Sequence, residues 1–259
     1  MDTVTYLIAL PAVIALFFKA GVFAYARHSR VHNQQTRLYL YFLFALSIQN
    51  VAEVIHFYTL IVHNEIPTTQ ATIFYAASII ALALLLHLAF SLAFNNFGAS
   101  KKAVLTAIYG YAAALEVLLL STPLLIEGYV RFPYGGVTRI AGPLFLLFEV
   151  YAIGIFVSVI GLFIYGSKYQ DTAQKRARNS MMLLAIVPMA LLVSVVITLL
   201  HFGIKWFSTP ITLPIAITYF LLITAYATYQ HRLFDIQFFI PWSKVRARKT
   251  AFYDRIRAM

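Results

Sequence analysis

The 259-residue chain is 61% apolar and only 11% charged, and it contains no cysteine. A soluble domain of this size carries about a quarter charged residues, so a water-soluble fold is excluded, and the lack of cysteine removes any disulfide frame or thiolate metal site. The net charge of +11 would point to nucleic acid in a soluble protein; here its placement reports topology, and no nucleic-acid partner is expected.

Apolar runs near the ~20 residues needed to cross a bilayer recur at 5–26, 37–62, 70–94, 103–125, 141–166, 180–202 and 209–230. Period-two alternation is absent, and a backbone in lipid must satisfy its own hydrogen bonds, so the spans are helices. The first run, Tyr6 to Ala26, follows an acidic start with no basic region and reads as a retained helix, not a cleaved leader. It carries Lys19 in its inner half, where the side chain is expected to snorkel toward the cytoplasmic interface.

The second span holds Gln49, Glu53, His56 and His63 within an arc of about 80°, with Asn50 flanking it. Ionisable groups facing hydrocarbon cost several kcal/mol, so this stripe must face the bundle interior or a wet cavity. His87 in the third span reads as a satisfied interior histidine. A membrane haem would need two facing histidines at one depth, and His56 and His87 differ in depth, so no cofactor is expected. The fourth span carries Glu116. After it, Tyr129–Arg131 and Val137–Arg139 flank the tetrapeptide PYGG, which predicts a small outer β-hairpin. The fifth span carries Glu149. The sixth carries Pro188, which should kink the helix and release one backbone carbonyl, with His201 at its outer end. The seventh opens with Pro210 and Pro214, the former well placed in a first turn.

Sixteen of the 20 basic residues fall on one side of these spans, in the loops holding Arg27, Lys101 and Arg176 and in the tail from Arg232 to Arg257. By the positive-inside rule that side is cytoplasmic. The expected fold is therefore an all-α integral membrane protein. It is a seven-transmembrane-helix bundle with the N-terminus outside, the C-terminus cytoplasmic and a hairpin between helices 4 and 5. Residues 1–231 form the bundle and 232–259 a cytoplasmic juxtamembrane linker. In that linker Val245, Phe252, Ile256 and Met259 share a helical face opposite a basic one, which suits a signalling helix or an interfacial helix on anionic lipid.

Helical rise places Glu53, Glu116 and Glu149 between the midplane and the outer surface. Together with Gln49, Asn50 and His56 they are candidates for a pocket that takes a small ligand, a cation or a proton. The alternative is a set of interhelical hydrogen bonds that fixes packing. The last span has no lysine for a retinal Schiff base. No Walker loop, HExxH or Ser/His/Asp order is present, so no catalytic residue is assigned.

In three stretches, GPLFLLFEVY, SKYQDTAQKRAR and YQHRLFDI, the chain resembles a known family. It is similar to the N-terminal seven-helix sensor region of bacterial histidine kinases, which also precedes diguanylate cyclases and other output domains. The resemblance implies a receptor module in the bacterial inner membrane and a homodimer. It also implies a signal passed through helix 7 to a cytoplasmic output domain or partner kinase; the candidate coupling residues are Arg232, Leu233, Phe234 and Asp235, with Pro188, whose kink suits a moving element or a static bundle alike. No kinase or cyclase sequence lies within these residues, so the chain reads as the sensor part of a longer protein or one whose output is delegated. The resemblance supplies no ligand residues. Other classes to weigh are a small proton- or cation-coupled transporter using the three glutamates, and a cofactor-binding or scaffold subunit of a membrane complex.

Overall fold

The computed structural model describes residues 3–28, 34–63, 66, 68–94, 99–131, 137–204 and 209–231. Within them lie seven helices and one hairpin. They run in the order α1 (Thr3–His28), α2 (Gln34–Val62), α3 (Thr68–Ala93), α4 (Ala99–Ser121), β1 (Ile126–Arg131), β2 (Val137–Ala141), α5 (Phe145–Tyr169), α6 (Ala173–His201) and α7 (Thr209–His231). Five of the helices, α2 to α6, contain segments long and apolar enough to cross a membrane; α1 and α7 carry shorter apolar stretches, Leu10–Ala24 and Leu213–Ala227. The Arg232–Asp235 segment and the basic tail lie outside the described residues.

Six helices close a ring. Each packs on the next in the order α1, α2, α3, α5, α6, α7, and α7 returns to α1, while α4 packs on α3 from outside the ring. The interior is filled by Phe42, Leu43, Ile79, Leu86, Phe163, Ala185 and Phe220, all essentially inaccessible. Phe42 meets Phe220 edge to face at 5.7 Å, tying α2 to α7. The outer surface reverses the usual pattern. Phe17, Leu120, Val157 and Leu191 are exposed there, while Lys19, Glu53 and Arg139 are buried inside. An apolar exterior around buried charges is the arrangement a bilayer requires.

Helix boundaries differ from the hydropathy windows, for local reasons. α6 starts at Ala173, seven residues before the apolar window at 180, because Thr172 caps it by accepting the Lys175 N–H at 3.2 Å. Lys175, Arg176 and Arg178 are therefore helical. α6 ends where Gly203, at φ 69°, donates to the Leu200 carbonyl while Ile204 N–H reaches Leu199 O at 2.8 Å. That paired closure needs a left-handed residue, which glycine supplies without strain. The end of α4 and the start of α5 each retreat by four residues from the windows at 125 and 141, because residues 122–125 and 142–144 form the turns that lead into and out of the hairpin.

The hairpin is longer than PYGG alone suggests. Tyr129 pairs with Arg139, Val130 with Thr138 and Arg131 with Val137, and a bulge at Glu127 bends β1; the turn at 132–136 lies outside the described residues. β2 lies against α6 and α7, and Tyr129 is hydrogen-bonded to Thr72 of α3. Burial raises the Tyr129 pKa above its usual value, so the hydroxyl remains a donor at neutral pH. The hairpin thus covers one end of the ring. At the far end, Arg178 donates to Gln35 Oε1 at 3.2 Å and to Leu92 O at 3.1 Å, and Gln35 donates to Ser91 O at 2.7 Å. These bonds occupy carbonyls at the C-terminus of α3, where positive charge is also favoured by the helix dipole.

Candidate functional site

Two features occupy the ring interior near the hairpin. One is a cluster of charges shared by α1, α2 and β2. Lys19 is inaccessible and donates to Leu46 O at 2.9 Å and to the Asn50 side-chain oxygen. Asn50 in turn donates to Ala12 O at 3.1 Å, so one amide binds α1 at two heights. Lys19 therefore does not snorkel to the interface. With the ring closed around it, its ammonium turns inward to acceptors on α2, and Glu53 lies within its electrostatic reach. Arg139 enters from the hairpin side, 5% exposed, with its guanidinium 4.3 Å from the Phe74 ring centre and 4.2 Å from that of Tyr75. It too lies within electrostatic reach of Glu53 and of His56. Neither Glu53 oxygen nor His56 Nε2 has a hydrogen-bond partner among the described residues.

The second feature is a cavity inside the ring. Its walls come from α2 (Phe42, Leu46, Gln49), α3 (Phe74 to Leu85), α5 (Phe148, Phe156), α6 (Met189 to Leu200) and α7 (Leu213, Ile217), and Arg139 closes the hairpin end. Its polar groups are few: Arg139, Gln49, Ser78 and Tyr75, with apolar side chains elsewhere. Gln49 donates to Ser78 Oγ at 3.0 Å, and Ser78 donates to Phe74 O at 2.7 Å.

The six residues singled out from the sequence separate into three environments. Gln49, Asn50, Glu53 and His56 are all buried on the interior faces of α2, as their spacing requires. Only Gln49 of the six lines the cavity. Glu149 is held at the α5–α6 joint, accepting from Thr198 at 2.9 Å and contacting His201 Nδ1 at 3.2 Å. Glu116 is on α4, outside the ring, within electrostatic reach of Tyr151. The three carboxyls thus do not converge on one pocket. His87 is not an interior histidine: it is half-buried in the outer groove between α3 and α4, where its Nδ1 meets the Tyr109 hydroxyl at 3.0 Å. Among the described residues no group of three His, Cys, Asp or Glu is arranged to hold a metal.

Pro188 sits on the exposed face of α6 in an unbroken helix. Having no N–H, it leaves the carbonyl of Leu184, four residues back, without its helical partner. The Tyr219 hydroxyl of α7 donates to that carbonyl at 3.1 Å. Tyr219 was not evident from sequence as a functional residue, although the released carbonyl calls for a donor on a neighbouring helix. Tyr219→Phe should lower stability by about 1 kcal/mol, the net worth of one hydrogen bond, seen as a small fall in Tm. An unchanged Tm would mean that water serves the carbonyl equally well. Arg139 was also missed as a site residue, because in the sequence it reads as one more loop charge.

The fold and interior define a helical protein of membrane type, built as a six-helix ring with a hairpin over one end. No family model matches the chain, and neither the curated proteins nor the solved structures include a match.

Proposed function

We propose that the chain is the sensory module of a bacterial signal-transduction protein in the inner membrane. In this reading all seven helices span, the N-terminus and hairpin face outward, and the loops rich in lysine and arginine face the cytoplasm. A ligand seated in the ring cavity biases two packings of α6 and α7, and the change leaves through Arg232–Asp235 to a histidine-kinase-type output in a homodimer. The observation that carries this reading is that the cavity wall includes α6 immediately beyond Pro188 and the first half of α7. An occupant would therefore press on the helix leading to the C-terminus. The basic-residue distribution and the resemblance of the YQHRLFDI segment support the same direction of signalling.

A ligand changes output only by its differential affinity for two states, so filling the cavity with a side chain should mimic it. In a chimera with a kinase core joined after Met259, Leu82→Trp is expected to shift autophosphorylation about tenfold, equivalent to about 1.4 kcal/mol of bias. Val117→Trp, on the exposed face of α4, should have no effect. Equal activity in both variants, with both folded, would sink the receptor reading. Proton-driven flux into proteoliposomes would favour a carrier built on the buried charges instead.

A further inference from the structure

α4 packs on α3 from outside the ring, and its flank leaves a groove open beside the bundle at the end away from the hairpin. Gln34, the first residue of α2, and His87 of α3 form one wall; Lys102, Thr106, Tyr109 and Gly110 of α4 form the other. Those four positions recur at helical spacing and share one face. Leu105, 7% exposed, closes the floor. About 760 Å³ is open there to the centre of a water-sized sphere, so the walls stand apart and do not touch. Gly110 reports the same space independently, because a Cβ built on it meets nothing within 4 Å.

The groove is polar at its mouth and ring-lined further in. Gln34 opens α2 and Lys102 lies in the first turn of α4, whereas Tyr109 and Gly110 lie two turns deeper. From Lys102 to Gly110 is about 12 Å along the helix, most of the ~15 Å of hydrocarbon in one leaflet. Lys102 is exposed and makes no ion pair or hydrogen bond among the described residues. Its neighbour Lys101 is engaged, with the ammonium 3.5 Å from the Phe94 ring centre. No Asp or Glu lines the groove, so its mouth carries one uncompensated positive charge. The Lys102 ammonium, the Gln34 amide and the Thr106 hydroxyl can all donate, and an ionised phosphodiester can only accept. Deeper in, His87 Nδ1 and the Tyr109 hydroxyl bond each other at 3.0 Å, and the wall there is largely ring surface.

We propose that this groove holds one anionic phospholipid. Its singly charged phosphodiester sits among Lys102, Gln34 and Thr106, and one acyl chain lies along Tyr109 and Gly110. The head group then bridges α4 to the start of α2. A zwitterionic lipid brings its own ammonium to the same place and loses the advantage. The site is separate from the ring cavity and stands whatever that cavity holds.

The test is native mass spectrometry of the full chain in detergent, titrated with phosphatidylglycerol or with phosphatidylcholine of the same acyl chains. The first phosphatidylglycerol should bind about fivefold tighter than the first phosphatidylcholine, the pull of one lysine on an anionic lipid. Lys102→Ala should abolish that preference. Lys168→Ala removes a likewise exposed charge from the last turn of α5, outside the groove, and should keep it. Gly110→Phe should weaken phosphatidylglycerol several-fold by lying in the bed of the chain; Gly110→Leu replaces it if its melt departs from that of the parent. Glycerol 3-phosphate, a head without chains, should not displace the lipid. Equal binding of the two lipids, or equal losses at Lys102 and Lys168, would mean ordinary interfacial attraction and overturn the assignment. Unchanged binding in the folded Gly110 variant, or displacement by glycerol phosphate, would overturn it too, leaving an anion site with no lipid bed.

Discussion

Glu53→Leu is expected to destabilise the bundle by about 3–5 kcal/mol, the cost of leaving buried charge uncompensated. The physical reason lies in what surrounds the carboxyl. Lys19 from α1 and Arg139 from β2 both lie within its electrostatic reach, and all three residues are at most 5% exposed. Removing the one acid leaves two cations in the ring interior. The double variant Lys19→Met/Glu53→Leu should recover much of the loss, because replacing a buried pair by apolar groups of similar volume is often neutral. Thermal melting of the four proteins of that cycle checks the coupling directly. Additive effects of the two single substitutions would show that Lys19 is held by Leu46 O and Asn50 alone.

Gly142→Ala is expected to cost about 3 kcal/mol, the upper end for forcing extra volume into a packed site. A Cβ at this position would collide with Leu124 O and lie 2.7 Å from Leu124 C and Pro123 O. These are backbone atoms and cannot rotate away. Gly142 also donates to Leu125 O at 3.0 Å, closing the exit of the hairpin onto its entrance. The substitution should therefore pry β2 from its seat and withdraw Arg139 from the ring. The measurements are a fall in Tm and faster proteolysis within the hairpin. Gly154→Ala, where a Cβ would meet nothing within 4 Å, is the control and should leave both unchanged. A Gly142→Ala variant as stable as the control would mean that the α4–hairpin–α5 junction yields without moving Arg139.

The sequence was most readable where one element decides the outcome. The 100° spacing of Gln49, Glu53 and His56 required an interior face, and all three are buried; His63, read into the same stripe, is exposed in the turn just beyond α2. PYGG between β-rich residues announced a hairpin. Pro188 announced a released carbonyl, and Tyr219 answers it. Readability failed where two elements must be placed relative to each other. Helical rise gives Glu116 a position along α4, but hydropathy does not reveal that α4 stands outside the ring. Lys19 points inward because α1 packs against α2, which offers it the Leu46 carbonyl and the Asn50 side-chain oxygen. Arg139 becomes an interior cation only once a hairpin folds over the bundle, and apolar lining residues such as Phe156 and Met189 are indistinguishable in sequence from ordinary core.

Pro188 also limits how α7 can travel. Its freed Leu184 carbonyl is a single rung to which the Tyr219 hydroxyl is keyed, and α6 has no second internal proline to provide another. A slide of α7 by one turn, about 5.4 Å, would break that key with no equivalent rung to catch it. Turning α7 about the same hydroxyl preserves it. In the proposed receptor, that bond favours a twist of α7 over a piston stroke by about 1 kcal/mol.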